Sequence, residues 1–337
     1  MDKVWLLSLF LLVSVNTHSQ QANDKSNAKL SYNAQLTNYK YDFTPLFFDI
    51  ESQQHSLKMA YIYLPAKGNK PVVTLMHGKN FNAHYWTSTA QLLQKFGYGV
   101  LMPDQIGFGK SSKPKNYQFS FAALANHTHA LMASLNIKSS IVLGHSMGGM
   151  LASRFALMYP DMTEKLILMN PIGLENYLQY VQYKDTDFFY KNELAKTPEG
   201  VKQYQQKNYY DGKWNSQFES LTHFITGQIQ GPDQKQIAWV NAKTYDMIFT
   251  QPVITEFANL TMPVKLIIGT RDRTGPGRNW KKQGVDYELG RYDKLGKSAA
   301  ALIPNSELFE LDNIGHLPHI EDFDRFKKVF IKALEGK

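Results

Sequence analysis

Gly144-His145-Ser146-Met147-Gly148 sets a serine between two glycines, each two residues away. An apolar strand-like run, 140–144, leads in, and 147–159 continues with helical spacing. A strand that turns sharply into a helix presents the residue at its tip in a strained conformation, and the positions two away must be small. A plain glycine-rich turn with a helix start uses the same letters. Strand before and helix after favour Ser146 as a nucleophile. A serine hydroxyl is a poor nucleophile without a base, and the base needs an orienting carboxylate. His316 follows the strand-like run 307–311, in the loop where a base belongs. His319 stands three residues on, at the expected start of the last helix, and is expected to point elsewhere. His127 and His129 fall within a helical pattern, and His145 is held beside the serine by the turn itself.

Asp272 follows the run 264–269 and is flanked by Arg271 and Arg273. It is the first choice for the acid; Asp286 and Glu288, in the basic insert that follows, are the fallbacks. The order Ser146, Asp272, His316 is one of several in which this triad occurs. Acyl transfer also needs donors for a developing oxyanion. Gly78 lets the backbone after the run 71–77 come close, so the Lys79 N–H is one expected donor. The Met147 N–H, at the start of the helix after the serine, is the other.

The elements that must position these residues alternate. Strand patterns fall at 46–51, 57–64, 71–77, 98–103, 140–144, 165–170, 264–269 and 307–311. Most are apolar almost throughout, as strands covered on both faces are. Helical patterns fall at 83–96, 119–135, 147–159, 291–303 and 321–335. Alternation of this kind predicts an α/β fold: a mostly parallel eight-stranded sheet with helices on both faces. Between 171 and 251 the rhythm breaks into an aromatic-rich stretch, read as a helical insertion over one edge of the sheet. Any one of its aromatics is expected to fill the insertion's own core, but together some should line a pocket.

The chain has 337 residues, enough for one α/β domain with an insertion, and 43% of them are hydrophobic. It has no cysteine, which excludes disulfides, thiolate metal sites and a cysteine nucleophile. Its formal charge is +8, but no basic block and no nucleic-acid motif accompany it, so the excess reads as a solvated surface. Lys3, the apolar run 4–15 and small Thr17 and Ser19 form a secretory signal pattern. The run is too short to span a bilayer comfortably. The expected organisation is a signal peptide at 1–19, a flexible polar lead-in at 20–39, a core from 40–170 and 252–337, and the insertion at 171–251.

The segments HGKN (77–80), DQIGFGKSS (104–112), GHSMGG (144–149), GTRD (269–272) and GHLP (315–318) together resemble the α/β-hydrolase superfamily, in its capped, serine-nucleophile branch. The resemblance runs from Phe47 to Leu334 in the family's order. It implies that Asp104, Gly107, Gly109 and Ser111 build a structural loop and that 171–251 is a cap. Lys79-Asn80 departs from the apolar residue and proline of many relatives, so these side chains are expected to face the pocket. Relatives resembling epoxide hydrolases and haloalkane dehalogenases carry Asp at the nucleophile position, so Ser146 argues against both activities. The expectation is a periplasmic or extracellular serine esterase with a small-molecule substrate, no cofactor or metal, no nucleic-acid partner and no membrane span once the signal is removed. Lactonase, amidase, C–C bond hydrolase and haloperoxidase chemistry use similar triads. A ligand-binding or receptor protein that retains the fold is the alternative of another class.

Overall fold

The computed structural model describes Met1 and residues 29–336. Its eight strands are β1 (Leu46–Ser52), β2 (His55–Leu64), β3 (Val72–Met76), β4 (Gly99–Pro103), β5 (Ser140–His145), β6 (Thr163–Met169), β7 (Val264–Gly269) and β8 (Ser306–Leu311). They form one sheet in the order β1-β2-β4-β3-β5-β6-β7-β8. β2 runs antiparallel to both β1 and β4, and the remaining neighbours are parallel. The eight strands match the eight apolar runs, and the sheet is mostly parallel as expected.

Alternate residues of each central strand feed two cores. Val142, Leu266 and Ile268 point to the face covered by α2 (Phe121–Ser134), α3 (Met147–Met158) and α10 (Tyr292–Leu302). Ile141, Leu143 and Ile267 point to the face covered by α1 (Thr87–Lys95) and α12 (Phe323–Glu335), whose Phe326 and Phe330 are fully buried. Ser120 caps α2 by accepting the Ala123 N–H, so that helix starts two residues later than its pattern. The first helical pattern, from 83, opens as a 3-10 turn, Ala83–Trp86, before α1 begins.

Between β6 and β7 the chain forms α4 (Tyr177–Tyr180), α5 (Thr186–Leu194), α6 (Pro198–Asn208), α7 (Ser216–Ser220), α8 (His223–Ile229) and α9 (Gln234–Thr250). This is the helical insertion. Phe189 of α5 stacks on Tyr245 and Phe249 of α9 at centroid distances of 4.9 and 5.7 Å, tying these two helices together. A short α11 (Pro318–Glu321) precedes α12. Among the described residues no helix is long and apolar enough to cross a membrane.

The lead-in needs correcting. Most of 20–39, and all of the signal pattern except Met1, lies outside the described residues, but the stretch from Lys29 is placed. There Ala34 and Leu36 are buried. The Tyr32 N–H donates to Gly227 O at 2.8 Å and the Ala34 N–H to Asp233 Oδ2 at 2.8 Å. Lys110 Nζ donates to Leu36 O. The end of the lead-in is therefore a strap docked across the insertion and the Asp104 loop. Its polar composition concealed this, because two apolar residues make no periodic pattern. Leu36→Ala should lower the stability of the full chain by about 2–5 kcal/mol, read from the midpoint of urea unfolding. A change under about 0.5 kcal/mol would mean that the strap is not part of the cooperative core.

Candidate active site

Backbone geometry makes the tip of the turn. Ser146 stands between β5 and α3 with φ 57° and ψ −123°. A Cβ on Gly144 would lie 2.1 Å from Gly148 O, and one on Gly148 would lie 2.1 Å from Met76 O. Neither space exists, so both glycines are required by close approach of backbone. Gly78 passes equally near: a Cβ there would sit 3.1 Å from the Ser146 Cβ. The end of β3 is thus pressed against the serine, where the Lys79 N–H is expected to act. Met147 is the first residue of α3, so its N–H has no acceptor within the helix.

The three sequence-predicted side chains meet. His316 Nε2 is 2.9 Å from Ser146 Oγ, and His316 Nδ1 is 2.6 Å from Asp272 Oδ2. Asp272 and His316 are both almost fully buried. Burial alone would raise the Asp272 carboxyl. The His316 ring beside it and hydrogen bonds from His316, Thr274 and Asn170 outweigh that and hold it below the usual carboxylate range. An ionised Asp272 can only accept, so His316 Nδ1 carries the proton and Nε2 is free to take one from Ser146. Neither flanking arginine pairs with the Asp272 carboxylate: Arg271 pairs with Glu321 at 2.6 Å and Arg273 lies 3.5 Å from Asp293. Asp286 and Glu288 are exposed, and Glu288 pairs with Arg291. His319 stacks on Trp86 at 4.6 Å with both ring nitrogens unpartnered among the described residues, and burial pushes it down to about 3. It takes no part in the triad.

Several positioning groups were not read from the sequence. Asn170, just past β6, donates to Asp272 Oδ2 at 2.9 Å and accepts the Gly269 N–H at 2.8 Å. The Thr274 N–H donates to Asp272 Oδ1 at 2.8 Å. Tyr209 of the insertion stacks on His316 at 4.9 Å. A buried polar residue at a strand end beside the acid was the available signal for Asn170.

His145 and Tyr85 form a second chain of contacts behind the triad. The His316 carbonyl accepts, so His145 Nε2 must donate to it, at 2.7 Å. Burial, then the charges of His316 and His319, keep His145 well below its ordinary pKa, so its ring is neutral and Nδ1 accepts. Tyr85 Oη therefore donates to Nδ1 at 3.0 Å and itself accepts the Gly78 N–H at 3.0 Å. The chain of contacts links the loop that carries His316 to Gly78 at the end of β3. Tyr85→Phe leaves a buried donor and a buried acceptor unpaired, each worth about 1–3 kcal/mol. If about 1.4 kcal/mol of this appears in the transition state, kcat falls about tenfold. Steady-state kinetics should show that loss in kcat, with KM little changed. A change in KM alone would mean that Tyr85 does not position the reacting groups.

The Asp104 loop is architectural, as expected. Asp104 accepts the Ala83 and Lys110 N–H groups, each at 2.7 Å, and the Tyr41 hydroxyl at 2.8 Å. A cavity of about 480 Å³ reaches Ser146 between the helical insertion and the loop after β7. Phe189, Tyr204, Tyr245 and Phe249 supply aromatic wall, and Thr274–Trp280 of the basic insert supply the rim. Lys79 and Asn80 do line this cavity. Lys79 Nζ donates to Asn241 O at 2.9 Å and to Thr244 Oγ1 at 2.8 Å, and lies 4.1 Å from the Tyr245 centroid. Burial pushes its ammonium down to about 7, while Glu193 pulls it up and Lys196 pushes it further down.

A mostly parallel sheet with a Ser–His–Asp array at the carboxyl ends of its strands defines an α/β protein built around one buried polar constellation. Residues 71–282 match the model of the alpha/beta hydrolase fold, and the chain belongs to that family. The structure of a "probable hydrolytic enzyme" from Pseudomonas aeruginosa PAO1 is similar over 91% of this chain and 99% of that one, with TM-score 0.89 and 42% identity. An uncharacterized protein of Mycobacterium bovis is 37% identical over 108 residues, covering 32% of this chain and 31% of its own. The chain therefore aligns with about a third of the length of that relative. Lipase 1 of Psychrobacter immobilis is 24% identical over 297 residues, covering 83% of this chain and 82% of its own.

Proposed function

We propose that the chain is an exported serine hydrolase that cleaves carboxylic esters of small to medium, partly apolar compounds. The observation that carries this reading is the unbroken sequence of contacts Ser146–His316–Asp272, with Ser146 lining the cavity and the other two buried behind it. Ser146 Oγ attacks the ester carbonyl as its proton passes to His316 Nε2. Asp272 stabilises the resulting imidazolium. The Lys79 and Met147 N–H groups hold the oxyanion. Collapse breaks the bond to the alcohol, which leaves with the proton from His316. Water, deprotonated by the same nitrogen, then releases the acid and restores Ser146. The name of the Psychrobacter relative, a lipase, agrees with ester cleavage. The aromatic cavity wall supports an apolar part in the substrate.

A fluorophosphonate probe and a panel of esters, lactones and amides test the chemistry. Labelling of folded protein with turnover of esters is expected. Absence of both would leave a binding protein on a hydrolase fold. Export follows from the pattern in residues 1–19 and is tested by fractionation with mass spectrometry of the mature amino terminus, where a cut near Ser19 is expected.

A further inference from the structure

The cavity that reaches Ser146 has an unbalanced lining. Lys79, Lys207, Arg273 and Arg278 contribute to it, and among the described residues no Asp or Glu does. Two of these cations are accounted for. Arg273 donates to the carbonyls of Thr270 and Asp272 and lies 3.5 Å from Asp293. Lys79 is turned toward acceptors on α9, Asn241 O and Thr244 Oγ1. Lys207 and Arg278 make no side-chain hydrogen bond or ion pair with any other described residue. They come from separate elements, the last turn of α6 and the loop between β7 and α10, and reach the same cavity.

A lysine in the last turn of a helix is favoured by the helix dipole, which is enough to account for Lys207 alone. It does not account for Arg278, which follows a left-handed Gly277 in a 3-10 turn facing the same opening. The carboxyl that feels the Arg278 charge is Glu175, which is buried and held by the Gly290 N–H at 3.2 Å. It is not part of the lining. Cations gathered over low-dielectric aromatic walls concentrate an anion from solution.

From this arrangement we infer that the substrate is an ester carrying an anionic oxygen group, carboxylate or phosphate, which Arg278 and Lys207 hold while the ester carbonyl lies at Ser146. The inference rests on the serine-hydrolase reading and narrows it. A neutral ester fills the apolar part of the cavity and leaves both cations solvated. An anionic ester adds a guanidinium and an ammonium contact on the rim.

The test compares isosteric pairs. Monomethyl terephthalate against methyl 4-carbamoylbenzoate places the charge on the acyl side. 4-Carboxyphenyl butyrate against 4-carbamoylphenyl butyrate places it on the alcohol side, and 4-(phosphonooxy)phenyl butyrate distinguishes phosphate from carboxylate. The wild-type protein should favour at least one anion over its amide by about tenfold or more in kcat/KM at low ionic strength. That ratio should shrink in 0.5 M salt on the order expected for screened charges, fall in Arg278→Ala and Lys207→Ala, and be largely kept in Arg278→Lys. Turnover of the amides with no preference for any anion overturns the inference and leaves the serine hydrolase standing. A preference unchanged in both alanine variants also overturns it. Failure of every ester, together with failure of fluorophosphonate labelling, instead removes the reading beneath it.

Discussion

Ser146→Ala should reduce kcat by on the order of a million-fold, as loss of a triad serine does when the remaining groups act only as part of a unit. The same variant should lose fluorophosphonate labelling entirely. The structure makes this substitution a clean one. Alanine keeps the Cβ, so the space beside Gly78 is unchanged. The serine side chain caps no helix, since Ser146 precedes α3 without a side-chain bond to it. Its hydroxyl has one partner, His316 Nε2. That nitrogen has no further partner in the site and can take a water. Thermal unfolding of the variant should therefore track the wild type. A rate within tenfold of wild type in a folded variant would remove Ser146 as nucleophile. Residual turnover above the uncatalysed rate is expected, because the backbone donors of Lys79 and Met147 and the cavity walls stay in place.

The readable parts of this protein were those with a one-dimensional signature. Strands such as β5 and β7 are covered on both faces, so nearly every residue is apolar and the run stands out. The triad was legible because each member follows a strand at the same edge of the sheet. The glycines at 144 and 148 carried a steric requirement: a Cβ at either would stand 2.1 Å from a backbone oxygen. The unreadable parts depend on contacts between distant segments. Leu36 in its polar stretch becomes core only because the insertion and the Asp104 loop meet there. Tyr85 looks like any helix-start aromatic until His145 and Gly78 are brought to its hydroxyl, 60 residues and 7 residues away along the chain. The helices of the insertion were invisible one by one because their aromatics serve both their own packing and the cavity, as Phe189 does. Asn170 was hidden by being one polar residue after an apolar strand.

Asp272→Asn should lower kcat by about four orders of magnitude while leaving KM near the wild-type value. The hydrogen bonds around the carboxylate make the expected loss specific to this site. Oδ2 accepts from His316 Nδ1 and from Asn170, and Oδ1 accepts from Thr274 N–H. An asparagine amide has one oxygen for these two positions. With its NH2 at the Oδ2 position, it faces the Asn170 donor and forces His316 to accept at Nδ1. The ring then carries its proton on Nε2 and cannot take one from Ser146. Asn170 cannot turn over to relieve this, because its own oxygen holds the Gly269 N–H. With the amide reversed, the NH2 faces the Thr274 N–H, which is backbone and cannot turn. The tautomer then survives, but no charge remains to stabilise the imidazolium. Either way one buried donor faces another and the carboxylate's charge is gone. KM should hold because Asp272 is fully buried and contributes nothing to the cavity wall. Steady-state kinetics on one good ester, with urea unfolding as a control, decides the matter. A loss of less than about tenfold in kcat in the folded variant would take the orienting role away from Asp272. The exposed Asp286 and Glu288 could not inherit that role without the loop after β7 refolding around His316.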